Sequence, residues 1–241
     1  MESAFASDSQ KGTKHHVNED RLLCWPEGGL FAVADGMSGA VGGAVASEMA
    51  TQALKEYLLL SYEENVSLSR AQLLREAILG ANFALFQASL RKPEYIGMGT
   101  TLTAALVLPK SVIIGHVGDS RCYRLSGGAV DLLTKDHVTN KKDEKKILSQ
   151  CIGYQENVAV DILEFPLDGD STYLLCTDGI SDFVDENDLR KALLSSSYNE
   201  AIQNLVRLAR LRGTTDDTSV IVFRPSDLVE EFRFSLQTGP S

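Results

Sequence analysis

Short apolar, β-rich runs in this chain repeatedly end in an aspartate beside a turn. Residues 30–34 run into Asp35-Gly36, residues 112–118 into Asp119, and residues 173–177 into Asp178-Gly179. Asp216-Asp217 comes just before the run 219–223, and Glu19-Asp20 just before the run 21–25. One Asp-Gly after a strand is an ordinary turn signal. Repeated along one chain, acidic strand ends allow a sheet whose rim collects carboxylates. If such acids converge, their like charges raise one another's pKa. Folding them together is then costly unless a cation sits between them.

The rest of the chain supplies the frame. Residues 21–25 and 30–34 read as strands around the turn Pro26-Glu27-Gly28-Gly29. From about 42 to 60 the spacing is helical, with Ala46, Met49, Ala50, Ala53, Leu54 and Tyr57 three or four apart. Its first half is Gly, Ala and Ser, which lets a helix approach a sheet closely. Ser67 or Ser69 caps a second helix that runs to about Leu90, and Pro93 stops it. Residues 101–108, 112–117, 121–125 and 130–133 read as an antiparallel meander with turn residues at each break. The polar stretch 135–150 reads as a surface loop or short helix. Residues 158–165, 172–177 and 219–223 read as further strands, and 185–194 and 199–211 as helices. The expected fold class is α+β, with antiparallel strands packed against a few long helices. One domain over 1–241 is expected, with 225–241 a weakly ordered tail.

Composition narrows the function. Acids outnumber bases 33 to 23, for a formal charge of −10. That argues against nucleic acid and against an anionic membrane surface. The start of the chain has no apolar signal segment, and no apolar run is long enough to span a membrane. Cys24, Cys122, Cys151 and Cys176 lie far apart, with no CxxC pair. They read as reduced, mostly buried thiols, which suits a cytoplasmic location. An all-oxygen set of carboxylates suits Mg²⁺ or Mn²⁺, and the lack of His or Cys spacing around it argues against zinc. Spacing alone leaves the convergence of these acids open.

At these residues the chain resembles the metal-dependent serine/threonine protein phosphatases of type 2C, in their short bacterial form. The resemblance is carried by Asn18-Glu19-Asp20, by the segment from Phe31 to Asp35-Gly36-Met37-Ser38-Gly39, and by Gly97-Met98-Gly99-Thr100-Thr101. It continues through His116-Val117-Gly118-Asp119-Ser120-Arg121, then Leu132-Leu133-Thr134-Lys135-Asp136-His137. The last segments are Cys176-Thr177-Asp178-Gly179-Ile180-Ser181-Asp182 and Asp216-Asp217-Thr218-Ser219-Val220. The resemblance implies two antiparallel β-sheets in a sandwich flanked by α-helices. It implies hydrolysis of phosphoserine and phosphothreonine in proteins, by a metal-activated water at a centre of two Mn²⁺ or Mg²⁺ ions. Asp35 would bridge both ions and the Gly36 carbonyl would bind one. Asp178 and Asp216 would bind the other, and Glu19 would hold an ion directly or through water. Asp119 would help bind the third ion of bacterial members. Glu19 and Asp35 would thus carry the catalysis. Substrates would be proteins phosphorylated by a serine/threonine kinase, and a monomer is expected.

The chain departs from the family pattern at three places. His15, with Lys14 and His16 beside it, stands where the family has an Arg that grips the substrate phosphate. Either His15 or Lys14 partly replaces that Arg, or both are solvated loop residues. Asp217 stands where the family has Asn; it adds charge to the site or, as expected here, accepts a turn hydrogen bond. The stretch after His137 is short and carries Lys141, Lys142, Lys145 and Lys146, a solvated face or a docking surface for an acidic partner. His116 and His137 read as structural. The alternative to an enzyme is a catalytically weak relative that binds phosphoproteins as a regulatory module. A phosphatase of the haloacid dehalogenase type would need a DxD motif, which Asp35-Gly36-Met37 does not supply.

Overall fold

The computed structural model describes residues 4–37, 42–64, 66–139 and 147–232. In chain order its strands are β1 (Phe5–Gln10), β2 (Asp20–Trp25), β3 (Leu30–Met37), β4 (Gly99–Thr100), β5 (Leu102–Val107), β6 (Ser111–Val117) and β7 (Arg121–Ser126). There follow β8 (Ala129–Leu132), β9 (Val138–Thr139), β10 (Ile147–Leu148), β11 (Asp161–Pro166), β12 (Thr172–Cys176) and β13 (Thr218–Phe223). The helices are α1 (Gly42–Glu63), α2 (Arg70–Arg91), α3 (Asp178–Ser181), α4 (Glu186–Leu193), α5 (Tyr198–Leu211) and α6 (Pro225–Phe232).

Two antiparallel sheets result. One has the order β1-β13-β12-β7-β8 and the other β11-β6-β5-β3-β2, with β4 paired to the end of β3. The central strands are apolar on both faces because both faces are covered. Phe31 and Val33 of β3 meet Tyr173, Leu175, Ile221 and Phe223 of the other sheet. Phe31 stacks on Phe223 with ring centres 4.7 Å apart. The alternate residues Leu30, Ala32 and Ala34 face α1 and α2 instead. Leu174, Cys176, Val220 and Val222 face α4 and α5. The layers are therefore helix, sheet, sheet, helix, in agreement with the expected sandwich.

Local chemistry explains the helix ends. Ser69 caps α2 in a reciprocal box with Gln72, and Asp185 caps α4 in the same way with Asp188. The small residues of α1 do bring it close: Ala46 and Ala50 are fully buried.

Several expectations need correction. The run 101–133 is not one meander. β5 pairs β6 and β7 pairs β8, but the chain changes sheets between β6 and β7 at Gly118, whose φ is +115°. Residues 135–150 include the short pair β9–β10 rather than a helix among the described residues. Strand β11 begins at Asp161, not at 158. The polar start of the chain holds β1, paired along its length with β13. Residues 225–232, expected in a weakly ordered tail, form α6, and Leu228 is fully buried between the sheets. The Lys141, Lys142, Lys145 and Lys146 cluster, together with Ser38, Gly39 and residues 233–241, lies outside the described residues.

Candidate metal centre

Strand ends from both sheets meet at one edge of the sandwich around a cavity of about 400 Å³. Lys14, His15, Glu19, Asp35, Gly36, Asp119, Asp178 and Asp216 all line it, together with Met37, Thr101, Ile147 and Leu148. Every residue singled out from the sequence as a site candidate is therefore at this edge. Each arrives by a separate route. Asp35 and Gly36 end β3, Asp119 lies in the crossing after β6, and Asp178 opens α3 directly after β12. Glu19 precedes β2 and Asp216 precedes β13.

The backbone around these acids is tightly held. Asp35 N–H donates to Thr101 Oγ1 at 2.9 Å, and Thr100 Oγ1 and Thr101 N–H donate to the Asp35 carbonyl at 2.8 and 2.9 Å. Gly36 N–H donates to the Glu19 carbonyl at 3.1 Å, which also accepts from Ser47 Oγ at 2.6 Å. A Cβ on Gly36 would lie 2.0 Å from the Gly43 carbonyl oxygen, so only glycine lets α1 start against the end of β3. Asp217 is buried and accepts from Gly12 N–H and Glu19 N–H, both at 2.7 Å. The expected turn hydrogen bond is not what it makes: its bonds are long-range and tie the loop of residues 11–19 to the start of β13, and its charge also helps raise Glu19.

The electrostatics are those of crowded carboxylates, some buried and some half-buried at the cavity wall. Burial lifts the Asp35 carboxyl well above the ordinary range, and the charges of Asp20, Asp178, Asp216 and Asp119 lift it further. Burial raises Asp178, and Asp216 and Asp182 add to the rise. Burial also raises Glu19, while His15 pulls it partly back. Burial pulls Lys14 down, but its hydrogen bond to Asp216 and the charges of Asp216, Asp178 and Asp35 leave it raised. Its Nζ meets Asp216 Oδ2 at 2.5 Å.

Sequence reasoning missed one acid. Asp20 pairs with Asp35 across β2 and β3 and is buried. Thr177 Oγ1 donates to its Oδ2 at 2.8 Å. Burial pushes Asp20 up to about 7, against that hydrogen bond. The hairpin register could have found it: counting back from the turn at 26–29 sets residue 20 opposite residue 35. His116 and His137, read as structural, are held by hydrogen bonds away from the cavity. Thr103 Oγ1 lies 2.9 Å from His116 Nδ1, and Gly118 N–H donates to His137 Nδ1 at 3.2 Å.

These residues suit a hard divalent cation. The polar side chains lining the cavity are mainly carboxylates, and Asp178 Oδ1 is buried with no hydrogen-bond partner among the described residues. A buried acceptor left unpaired in a cluster of like charges is what a bound cation would satisfy.

A two-sheet sandwich with acidic strand ends gathered at one edge defines a class of metal-dependent hydrolases, and comparison with known proteins names it. Residues 10–213 match the family described as Protein phosphatase 2C. The chain is 31% identical over 262 residues to the serine/threonine phosphatase stp of Listeria monocytogenes, covering 97% of this chain and 99% of that one. It is 32% identical to the serine/threonine protein phosphatase PstP of Mycobacterium tuberculosis over 90% of its own length, but over only 44% of that longer protein. The crystal structure of the PstP catalytic domain in complex with two manganese ions superposes with a TM-score of 0.80 at 29% identity, covering 90% of this chain and 96% of that one. The chain belongs to the protein phosphatase 2C family.

Proposed function

We propose that the acidic cavity is the catalytic centre of a metal-dependent serine/threonine protein phosphatase, with Asp35, Asp178, Asp216, Glu19, Asp119 and the Gly36 carbonyl as its cation ligands. The observation that carries this reading is the unpartnered, buried Asp178 oxygen among carboxylates drawn from separate strand ends. Asp35, at the centre of the mutual repulsion, would bridge two Mn²⁺ or Mg²⁺ ions. Asp178 and Asp216 would hold one ion and Glu19 would reach an ion directly or through water. Asp119 would serve a third. Bound cations supply a lowered pKa for the attacking water and offset the charge that builds on the phosphoryl oxygens.

The chain's own residues do the rest. Thr100 and Thr101 fix the backbone of Asp35, so its carboxylate has little freedom to turn away. Lys14 neutralises Asp216 in this structure. Lys14 also lines the cavity, where its ammonium would meet a substrate phosphate as a point charge rather than a planar fork. Met37, Ile147 and Leu148 add apolar surface to the lining of the cavity. A bulky nucleophile on the protein is not required, since water attacks phosphorus in line with the departing serine or threonine oxygen.

Within this reading the substrates are proteins phosphorylated by a serine/threonine kinase, and the chain acts as a monomer in the cytoplasm. The charge of −10 speaks against nucleic acid as a partner. No helix of the described residues is long and apolar enough to cross a membrane. The test is turnover of a phosphothreonine peptide with and without Mn²⁺. Activity that appears only with metal is expected; metal bound without turnover would leave the phosphoprotein-binding alternative. Lys14→Ala should raise KM roughly tenfold with a smaller change in kcat, as removal of a charge-assisted contact of about 1.5 kcal/mol predicts.

A further inference from the structure

His15 stands at ion-pairing distance from three carboxylates without a hydrogen bond to any of them. Its Nδ1 is 3.4 Å from Glu19 Oε2, 3.6 Å from Asp216 Oδ1 and 3.6 Å from Asp217 Oδ2. The atom is shielded from solvent and has no hydrogen-bond partner among the described residues. These separations are those of ion-pair contacts rather than hydrogen bonds. They are close to the spacing of neighbouring donors around one octahedral ion, about 3 Å for bonds of about 2.1 Å. One donor atom from each of His15, Asp216 and Asp217 lies within 4.8 Å of the others.

The ring is held there by its loop. Thr13 N–H and Lys14 N–H both donate to the Thr215 carbonyl, at 2.8 and 2.9 Å. Lys11 Nζ donates to the His15 carbonyl at 3.0 Å. Asp217 fixes both ends of the same loop through Gly12 and Glu19. A backbone anchored on both sides of His15 keeps the imidazole aimed at the acids before any ion arrives, which lowers the ordering cost of binding.

We propose that His15 is a nitrogen ligand of the cation held by Asp216, an inference that rests on the acidic cavity being a metal centre. The ring nitrogen converts an all-oxygen set into a mixed one. Imidazole favours transition ions, whereas carboxylates and carbonyls alone serve Mg²⁺ equally well. His15 therefore biases this centre toward Mn²⁺ over Mg²⁺.

The test compares the wild-type full chain with His15→Ala. Calorimetry gives the affinities for Mn²⁺ and Mg²⁺, and spin-echo electron paramagnetic resonance of bound Mn²⁺ detects a coordinated imidazole nitrogen. The expected result is nitrogen modulation in the wild type that disappears in His15→Ala. The Mn²⁺ Kd rises about tenfold and the Mg²⁺ Kd by less than about twofold. Bound Mn²⁺ without nitrogen modulation, or modulation that survives in His15→Ala, overturns the inference and leaves the metal centre standing. No Mn²⁺ binding by the wild type overturns the metal-centre reading itself. Should His15→Ala lose its fold, His15→Gln repeats the comparison with the side-chain length kept.

Discussion

Asp217 shows how one side chain can hold the backbone of a site together. Both of its oxygens are used by backbone N–H groups, Gly12 at one and Glu19 at the other. Asp217→Ala removes both acceptors and leaves two donors without partners in a buried place. Each such loss costs about 1–3 kcal/mol, so a fall in stability of about 2–6 kcal/mol is expected from denaturant unfolding. Turnover should fall as well, because Lys14, His15 and Glu19 all ride on the loop that Asp217 anchors. Asp217→Asn, which keeps one acceptor, should lose less. Asp20 was not legible as a site residue for a related reason. Its neighbour Asp35 follows from the hairpin register, but Thr177 comes from the other sheet and meets it only when the sheets pack.

Elements whose signals lie within their own residues were legible. The capped helices α2 and α4 and the doubly apolar strands β3, β5, β6, β12 and β13 carry their caps and periodicity with them. Strand β1 does not. Ser7, Asp8, Ser9 and Gln10 are polar, and their strand is made by backbone pairing with Ile221, Val220, Ser219 and Thr218. The change of sheet at Gly118 was equally hidden, since the turn Gly118-Asp119-Ser120 reads the same whether the next strand pairs or crosses over. Gly36 is one of the tight junctions between elements. Gly36→Ala would drive a methyl group into the Gly43 carbonyl and separate α1 from β3. Overpacking of this kind costs about 1–3 kcal/mol. We expect a lower unfolding temperature together with loss of activity, because the Gly36 carbonyl moves with its strand.

On the scale of the molecule, two sheets and their helices hold buried acids in a place where none would sit alone. Asp20 keeps its proton up to about 7, whereas in the unfolded chain it ionises near 3.8. Asp35, Asp178 and Glu19 shift in the same direction. Between about pH 4 and 7 the unfolded chain has therefore released protons that the folded chain retains, and folded stability falls as pH rises. The metal-free protein should melt at a lower temperature at pH 8 than at pH 5.5. Millimolar Mn²⁺ should raise the melting temperature most at pH 8, since the ion binds the ionised folded form. A metal-free melting temperature that climbs steadily across this range would contradict the crowding of acids described above. The fold class and the acidic edge were legible in the sequence because they are written as repeated strand ends. Their convergence was not, because periodicity within a strand carries no information about which strands lie side by side.

The most direct measurement is the rate of phosphothreonine-peptide hydrolysis by Asp178→Asn at saturating Mn²⁺, beside the wild type and with both melting temperatures recorded. Asp178 carries the unpartnered oxygen in the cavity, and its side chain bonds no backbone group among the described residues. The account predicts at least a hundredfold loss of turnover, about 2.7 kcal/mol or more in transition-state stabilisation. The melting temperature without metal should be unchanged or higher, because a like charge has been removed. Wild-type turnover in a folded Asp178→Asn protein would contradict it and remove Asp178 from the metal centre.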